Sequence, residues 1–295
     1  MARFGHTLTA MVTPFAADES LDLEGAQKLA KWLVANGNDG IVVAGTTGEA
    51  PTLTHDEQVA LIEAVVEAVD VPVVAGAGSN DTSAAVELTE RATAAGANAI
   101  LSVTPYYNRP SQEGLLAHFR ACAGATDLPV ILYDIPGRTG RKIATENIIA
   151  LAQTSNVVGL KDAAGDPAET ARVIAELGPD FDVYSGDDAL TLPLLSVGAC
   201  GVIGVATHWA GVETSQMIEA FRRGDVAEAT RLNQVLLESW DIETGDLRPN
   251  PIPSKTMLRL LGLPGGQCRL PMGPEPAGLE DECRKVLSNL GRPGF

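Results

Sequence analysis

The sequence is short of positive charge: 21 Lys and Arg stand against 38 Asp and Glu, for a formal net charge of -17. Binding to nucleic acid draws on Lys and Arg to neutralise phosphates and release counterions, so neither nucleic acid nor an anionic membrane is the expected partner. A small anionic substrate would have to be met by cations gathered inside a cleft, which directs attention to interior Lys and Arg. Cysteine is also scarce. Cys122, Cys200, Cys268 and Cys283 are far apart and form no C-x-x-C pair, which excludes a zinc ribbon or a disulfide framework and leaves small reduced core residues. The four histidines, His6, His55, His118 and His208, show no H-x-x-x-H spacing, so no metal site is expected. No stretch approaches the roughly 20 apolar residues of a membrane span. The opening MARFGHTLTAMVTPF has no apolar segment followed by a cleavage site, and the expectation is a cytoplasmic protein.

What is present suits a globular α/β protein with many tight turns: 45% hydrophobic residues, 30 Gly and 18 Pro in 295 residues. That length fits one domain, and α/β barrels of about 250 residues form one domain routinely. Eight short apolar runs recur: Leu8 to Val12, Gly40 to Ala44, Val71 to Ala75, Ala99 to Val103, Pro129 to Tyr133, Val157 to Lys161, Asp182 to Ser185 and Gly201 to Val205. Most are nearly continuous, as buried parallel strands are. Helix-start chemistry lies between them: Thr54 with Glu57 as a capping box, Asp81, Ser111, Thr145, and Asp166 followed by Pro167. Gly37, Gly96 and Gly178 mark helix ends. Strand and helix repeated eight times predict a (β/α)8 TIM barrel over residues 1–222. Further helical patterns at Val212 to Arg222, Val226 to Ile242, Ser254 to Leu261 and Leu279 to Leu290 predict a C-terminal helical extension over 223–295. No low-complexity linker marks off a second domain.

Reactive groups of such a barrel sit at the C-terminal ends of its strands. There the sequence places GTTGE (45–49), TPYYNRP (104–110), YDIPGRTG (133–140) and GLKDAAG (159–165). Two-residue alternation points Lys161 into the apolar barrel on the same face as Gly159, which would leave room for a ligand. A structural ion pair, with Asp187 as the partner, is the plain alternative. Burial disfavours the ammonium form, and a free interior amine can attack a ketone; the resulting iminium is an electron sink that acidifies the adjacent methyl group. Such chemistry needs proton relays, which Tyr133, Tyr107, Tyr106, Thr46 and Thr47 can supply because each hydroxyl both donates and accepts. Only 4 Tyr occur in all, and three fall at two strand ends. GTTGE alone is a weak signal, a turn or a cradle of N–H groups and hydroxyls for a carboxylate. Arg138, more than Arg141, is placed to bind a second carboxylate with paired hydrogen bonds.

Together with SGDD (185–188) and NPIPSK (250–255), these segments resemble the dihydrodipicolinate synthase family of pyruvate-dependent class I aldolases, over essentially the whole chain. The resemblance implies that Lys161 forms the imine with pyruvate and that Tyr133, Thr46 and Tyr107 relay protons. It further implies that Thr47 and Ile203 contact pyruvate, that Arg138 holds the carboxylate of L-aspartate 4-semialdehyde, and that no metal or organic cofactor takes part. It also implies a homotetramer of two tight dimers, with Tyr107 reaching into the neighbouring subunit. Asp134 stands where many relatives carry Asn, a neutral change. The lysine-inhibited relatives carry His and Glu where this chain has Gln58 and Ala84, although His55, Asn80 and Tyr106 match, so weak or absent lysine feedback is expected. Two other functions remain open: an aldolase acting on keto-deoxy sugar acids or N-acetylneuraminate, and a non-catalytic keto-acid sensor.

Overall fold

The computed structural model describes residues 2–295. Eight strands, β1 (Thr7–Ala10), β2 (Gly40–Val43), β3 (Val73–Gly76), β4 (Ala99–Val103), β5 (Val130–Asp134), β6 (Val157–Asp162), β7 (Asp182–Ser185) and β8 (Gly201–Gly204), close in sequence order into a barrel. All eight neighbouring pairs are parallel. The barrel predicted from the apolar runs is therefore the fold, with strand ends displaced by a residue or two. Ala44 leaves the ladder because its φ is +56°, in the left-handed region. Val205 turns its N–H to the Asp188 carboxyl instead of a strand partner.

Alternation along the strands makes two apolar layers. Leu8, Val42, Val74, Leu101, Ile131 and Ile203 fill the barrel with Tyr133 and Tyr184. Ile41, Val43, Val73, Leu132, Leu160 and Val183 face outward and pack under the helices. Several of those helices, which run from α1 (Leu23–Ala35) to α8 (Thr191–Ser196), start at caps the sequence announces. Thr54 and Glu57 form the capping box of α2 (His55–Ala68), and Asp81, Ser111 and Asp166 cap α3 (Thr82–Ala94), α4 (Gln112–Gly124) and α7 (Pro167–Leu177). Thr145 is not a cap. Ala144 precedes α6 (Thr145–Leu151), and its N–H donates to Gln112 Oε1 at 3.0 Å, so a neighbouring helix fixes this start.

The C-terminal helices are α9 (Thr207–Arg222), α10 (Val226–Glu243), α11 (Ile252–Leu260) and α12 (Leu279–Asn289). α9 begins five residues before the expected Val212 because Ala210, at φ -126°, kinks a first turn onto the regular helix. A second apolar cluster joins Val202 and Trp209 to Leu236, Trp240, Met257, Cys283 and Leu287, fastening the appended helices to the β8 side of the barrel. All four cysteines are free thiols. The chain between α10 and α11 passes over the C-terminal mouth of the barrel, where Glu243 and Asn250 both reach strand-end residues.

Candidate active site

Lys161 is the penultimate residue of β6, in register with Tyr133 on β5 and Tyr184 on β7. It is 4% exposed, and its Nζ lies 4.4 Å from the centroid of the Tyr133 ring. No carboxylate oxygen comes within 4.0 Å of it among the described residues, so the ion pair with Asp187 does not form. Asp187 instead accepts the Ala189 N–H at 3.0 Å to start a short 3-10 turn. Burial lowers the Lys161 ammonium from an ordinary 10.5 to about 8, with Asp188 opposing, Arg138 reinforcing and Glu243 opposing that shift. An amine in that range is a nucleophile close to neutral pH.

Two glycines shape the surroundings of this lysine. A Cβ on Gly186 would stand 3.0 Å from both Cγ and Cε of Lys161, so the stem of the lysine lies directly over that backbone. Gly159 answers to a different need from the one expected. A Cβ there would meet the Asp182 carbonyl oxygen at 2.5 Å, so its glycine serves the close approach of β6 and β7 and makes no room for a ligand.

On the Tyr133 side opens a cavity of about 230 Å³, which Thr46, Tyr106 and Arg138 also line. Tyr133 is 4% exposed, burial holds its phenol above its usual range, and the Thr46 hydroxyl lies within hydrogen-bonding reach of it. Its proton therefore stays on at neutral pH and is available to be donated and recovered. Arg138 sits in α5 (Pro136–Thr139), exposed at the cavity rim, with no carboxylate within 4.0 Å among the described residues. A guanidinium so placed can accept a carboxylate in paired hydrogen bonds. Asp134 turns outward, 1% exposed, and Oδ1 accepts the Ile143 N–H at 3.2 Å, which secures the far end of the loop carrying Arg138.

Ile203 is fully buried in the barrel interior, level in register with Leu8. Thr47 is 3% exposed and has its hydroxyl fixed by the Asn250 side-chain amide at 2.9 Å. Within the GTTGE turn the Glu49 N–H bonds to Thr46 O, and the N–H groups of Thr46 and Thr47 take no protein acceptor among the described residues. Those free donors are what a bound carboxylate needs. Tyr107 is the one expected site residue that stands away from the others. Its side chain is 89% exposed, with φ +72° and its N–H bonded to Thr139 O.

Reading the sequence did not assign several residues that support this site. Asn250 is one. Glu49 and Lys255 are two more, forming an ion pair of 2.6 Å whose side chains are 1% and 3% exposed. Lys255 Nζ also lies 4.3 Å from the Phe15 ring centroid, and Glu49 accepts the Arg269 N–H at 2.9 Å. These contacts bolt the GTTGE turn to the C-terminal extension across more than 200 residues of sequence. Beside the turn, Gln58 is 5% exposed and its amide donates to Ala50 O at 3.0 Å, while His55 pairs with Glu87 at 3.5 Å.

The model of the dihydrodipicolinate synthetase family matches residues 3–290. The chain belongs to that family. It is 49% identical over 295 residues to the 4-hydroxy-tetrahydrodipicolinate synthase of Moorella thermoacetica, covering 99% of each chain. With the enzyme of the same name from Acidothermus cellulolyticus it shares 53% over 297 residues, covering all of this chain and 94% of the relative. A lysine-bound dihydrodipicolinate synthase structure from Cyanidioschyzon merolae superposes with a TM-score of 0.95 at 45% identity, over 98% of each chain. The likeness to these dihydrodipicolinate synthases therefore spans the barrel and the C-terminal helices alike.

Proposed function

We infer that this chain condenses pyruvate with L-aspartate 4-semialdehyde to give 4-hydroxy-tetrahydrodipicolinate, on the diaminopimelate route to lysine. The observation that carries this reading is Lys161, a buried amine without an ion-pair partner held against Tyr133, in a chain about half identical over its full length to synthases of that name. Neutral Lys161 adds to the keto carbon of pyruvate, and the carbinolamine loses water to become an iminium. Tyr133, with Thr46 behind it, gives and recovers the protons of these steps. Thr47 and the free N–H groups of the turn hold the pyruvate carboxylate, and Ile203 packs against the bound keto acid. Loss of a methyl proton gives an enamine, whose carbon attacks the aldehyde while Arg138 holds the second substrate's carboxylate. The amino group of that substrate then displaces Lys161 and closes the ring.

The strained, exposed Tyr107 fits a hydroxyl supplied to the relay of a second subunit, and we take the enzyme to be a homotetramer of two tight dimers. Sedimentation at assay concentration would disprove that assembly by returning a monomer. The reaction itself is tested by pyruvate consumption with a panel of aldehydes. Turnover with L-aspartate 4-semialdehyde and little with sugar aldehydes is expected. Preference for a sugar aldehyde would make the chain a different aldolase, and thermal stabilisation by pyruvate without any turnover would make it a sensor.

A further inference from the structure

Two carboxyl groups lie near Lys161 without an ion-pair partner of their own. Asp188 opens the 3-10 turn after β7 and is 1% exposed; Glu243 is the last residue of α10 and is 8% exposed. A backbone N–H just before α9 holds one oxygen of Asp188. Val205 donates to Asp188 Oδ2 at 2.7 Å. Asp188 Oδ1 and Glu243 Oε2 are buried and have no donor. A Cβ on Gly204 would stand 2.5 Å from Asp188 Oδ1, so this carboxyl is pressed against the β8 backbone with no space for a solvating molecule on that side. No third His, Cys, Asp or Glu joins them in a metal-holding group among the described residues.

The end of α10 packs on the turn that carries Asp188, which gathers the two unpartnered carboxyls into one buried site. Ionised carboxylates only accept, so two of them make no hydrogen bond, and neighbouring like charges in a dry site do not both ionise. The pair requires a proton. Burial, repulsion from Asp188 and then from Asp187 hold Glu243 far above the carboxylate range. Burial and Asp187 raise Asp188 to about 6, against the pull of the Val205 N–H and Lys161. One proton held between the two carboxyls thus leaves the pair with a single negative charge.

Both carboxyls act electrostatically on Lys161. The protonated Schiff base formed there is a cation in a nearly buried place, and among the described residues no protein carboxylate lies within 4.0 Å of the nitrogen that carries it. We propose that Asp188 and Glu243 share one proton and act as a single negative charge that steadies the Lys161 iminium, which makes them positioning residues for the condensation. This role rests on the Schiff-base reading above, whereas the shared proton does not.

Four proteins are compared: wild type, Glu243→Ala, Glu243→Gln and the double variant Asp188→Asn with Glu243→Gln. Glutamine copies a protonated Glu243, since its NH2 can donate to Asp188 without carrying a charge. Glu243→Ala is expected to weaken apparent pyruvate affinity, read by borohydride trapping, at least about tenfold, and Glu243→Gln to restore it to within about threefold. The double variant keeps the shape and the hydrogen bonds but carries no charge, and should lose affinity at least about tenfold again. Equal losses in Glu243→Gln and the double variant, or undiminished affinity in the double, would overturn the proposal. Infrared spectra give a readout that needs no substrate. Wild type at pH 7 should show the carbonyl stretch of a protonated buried carboxyl that Glu243→Gln lacks, and its absence from wild type would overturn the shared proton. That band with no pyruvate adduct in wild type would instead reject the Schiff-base reading and the role assigned to the pair.

Discussion

Replacing Lys161 with methionine is expected to abolish imine formation and yet stabilise the fold at neutral pH. The folded protein holds this ammonium at about 8, below the 10.5 of an exposed lysine, mainly through burial. The charged form is therefore the disfavoured one in the native state. At pH 7 the side chain is protonated in both folded and unfolded chains, so nearly the whole cost is present, about 3 kcal/mol at 1.36 kcal/mol per pH unit. The cost declines as pH rises through 8, is about 1 kcal/mol at pH 10, and vanishes above 10.5, where both states are neutral. Methionine has similar length, no charge and an apolar stem suited to the barrel interior. Urea unfolding of wild type and Lys161→Met at one protomer concentration should give a variant more stable by about 3 kcal/mol at pH 7, with the gap closing to about 1 kcal/mol at pH 10. The same shift gives the wild type roughly 300 times more free amine at pH 7 than an exposed lysine would have, so stability is exchanged for reactivity. A variant less stable than wild type at pH 7, or a gap that does not change with pH, would refute this reasoning.

Three further outcomes follow from the same geometry. Tyr133→Phe removes the buried proton carrier and should slow turnover by about 100-fold or more without unfolding the protein, as checked by steady-state kinetics and circular dichroism. Arg138→Ala should lower kcat/KM for the aldehyde about 100-fold, corresponding to about 3 kcal/mol of charged hydrogen bonding, while leaving pyruvate trapping intact. Free lysine should inhibit weakly or not at all, because Gln58 spends its amide on Ala50 O and Ala84 offers no carboxylate to an ammonium; strong inhibition below millimolar lysine in the coupled assay would contradict this.

The barrel was legible because parallel strands buried on both faces leave continuous apolar runs, and because Asp, Ser and Thr caps punctuate the helices between them. Strand ends were less so. Ala44 and Val205 continue an apolar run in sequence, but a left-handed backbone and a carboxyl acceptor remove them from the ladder. Lys161, Tyr133, Thr46 and Arg138 were found because each closes or follows a strand, where topology alone brings them to one mouth. Asp188 and Glu243 were not paired, and neither were Thr47 and Asn250, because their contacts join the barrel to helices and loops far along the chain. No local spacing encodes such contacts; they follow from how the C-terminal extension packs on β8. Gly159 was given the wrong reason, since a glycine facing a barrel interior reads the same whether it admits a ligand or a neighbouring backbone.

The central claim is that Lys161 is the imine-forming nucleophile. Borohydride reduction in the presence of pyruvate, followed by peptide mass spectrometry of wild type and Lys161→Ala, tests it most directly. The account predicts a reduced pyruvyl adduct confined to the peptide carrying Lys161 and absent from the variant. No adduct in wild type, or an adduct on another lysine, would contradict it.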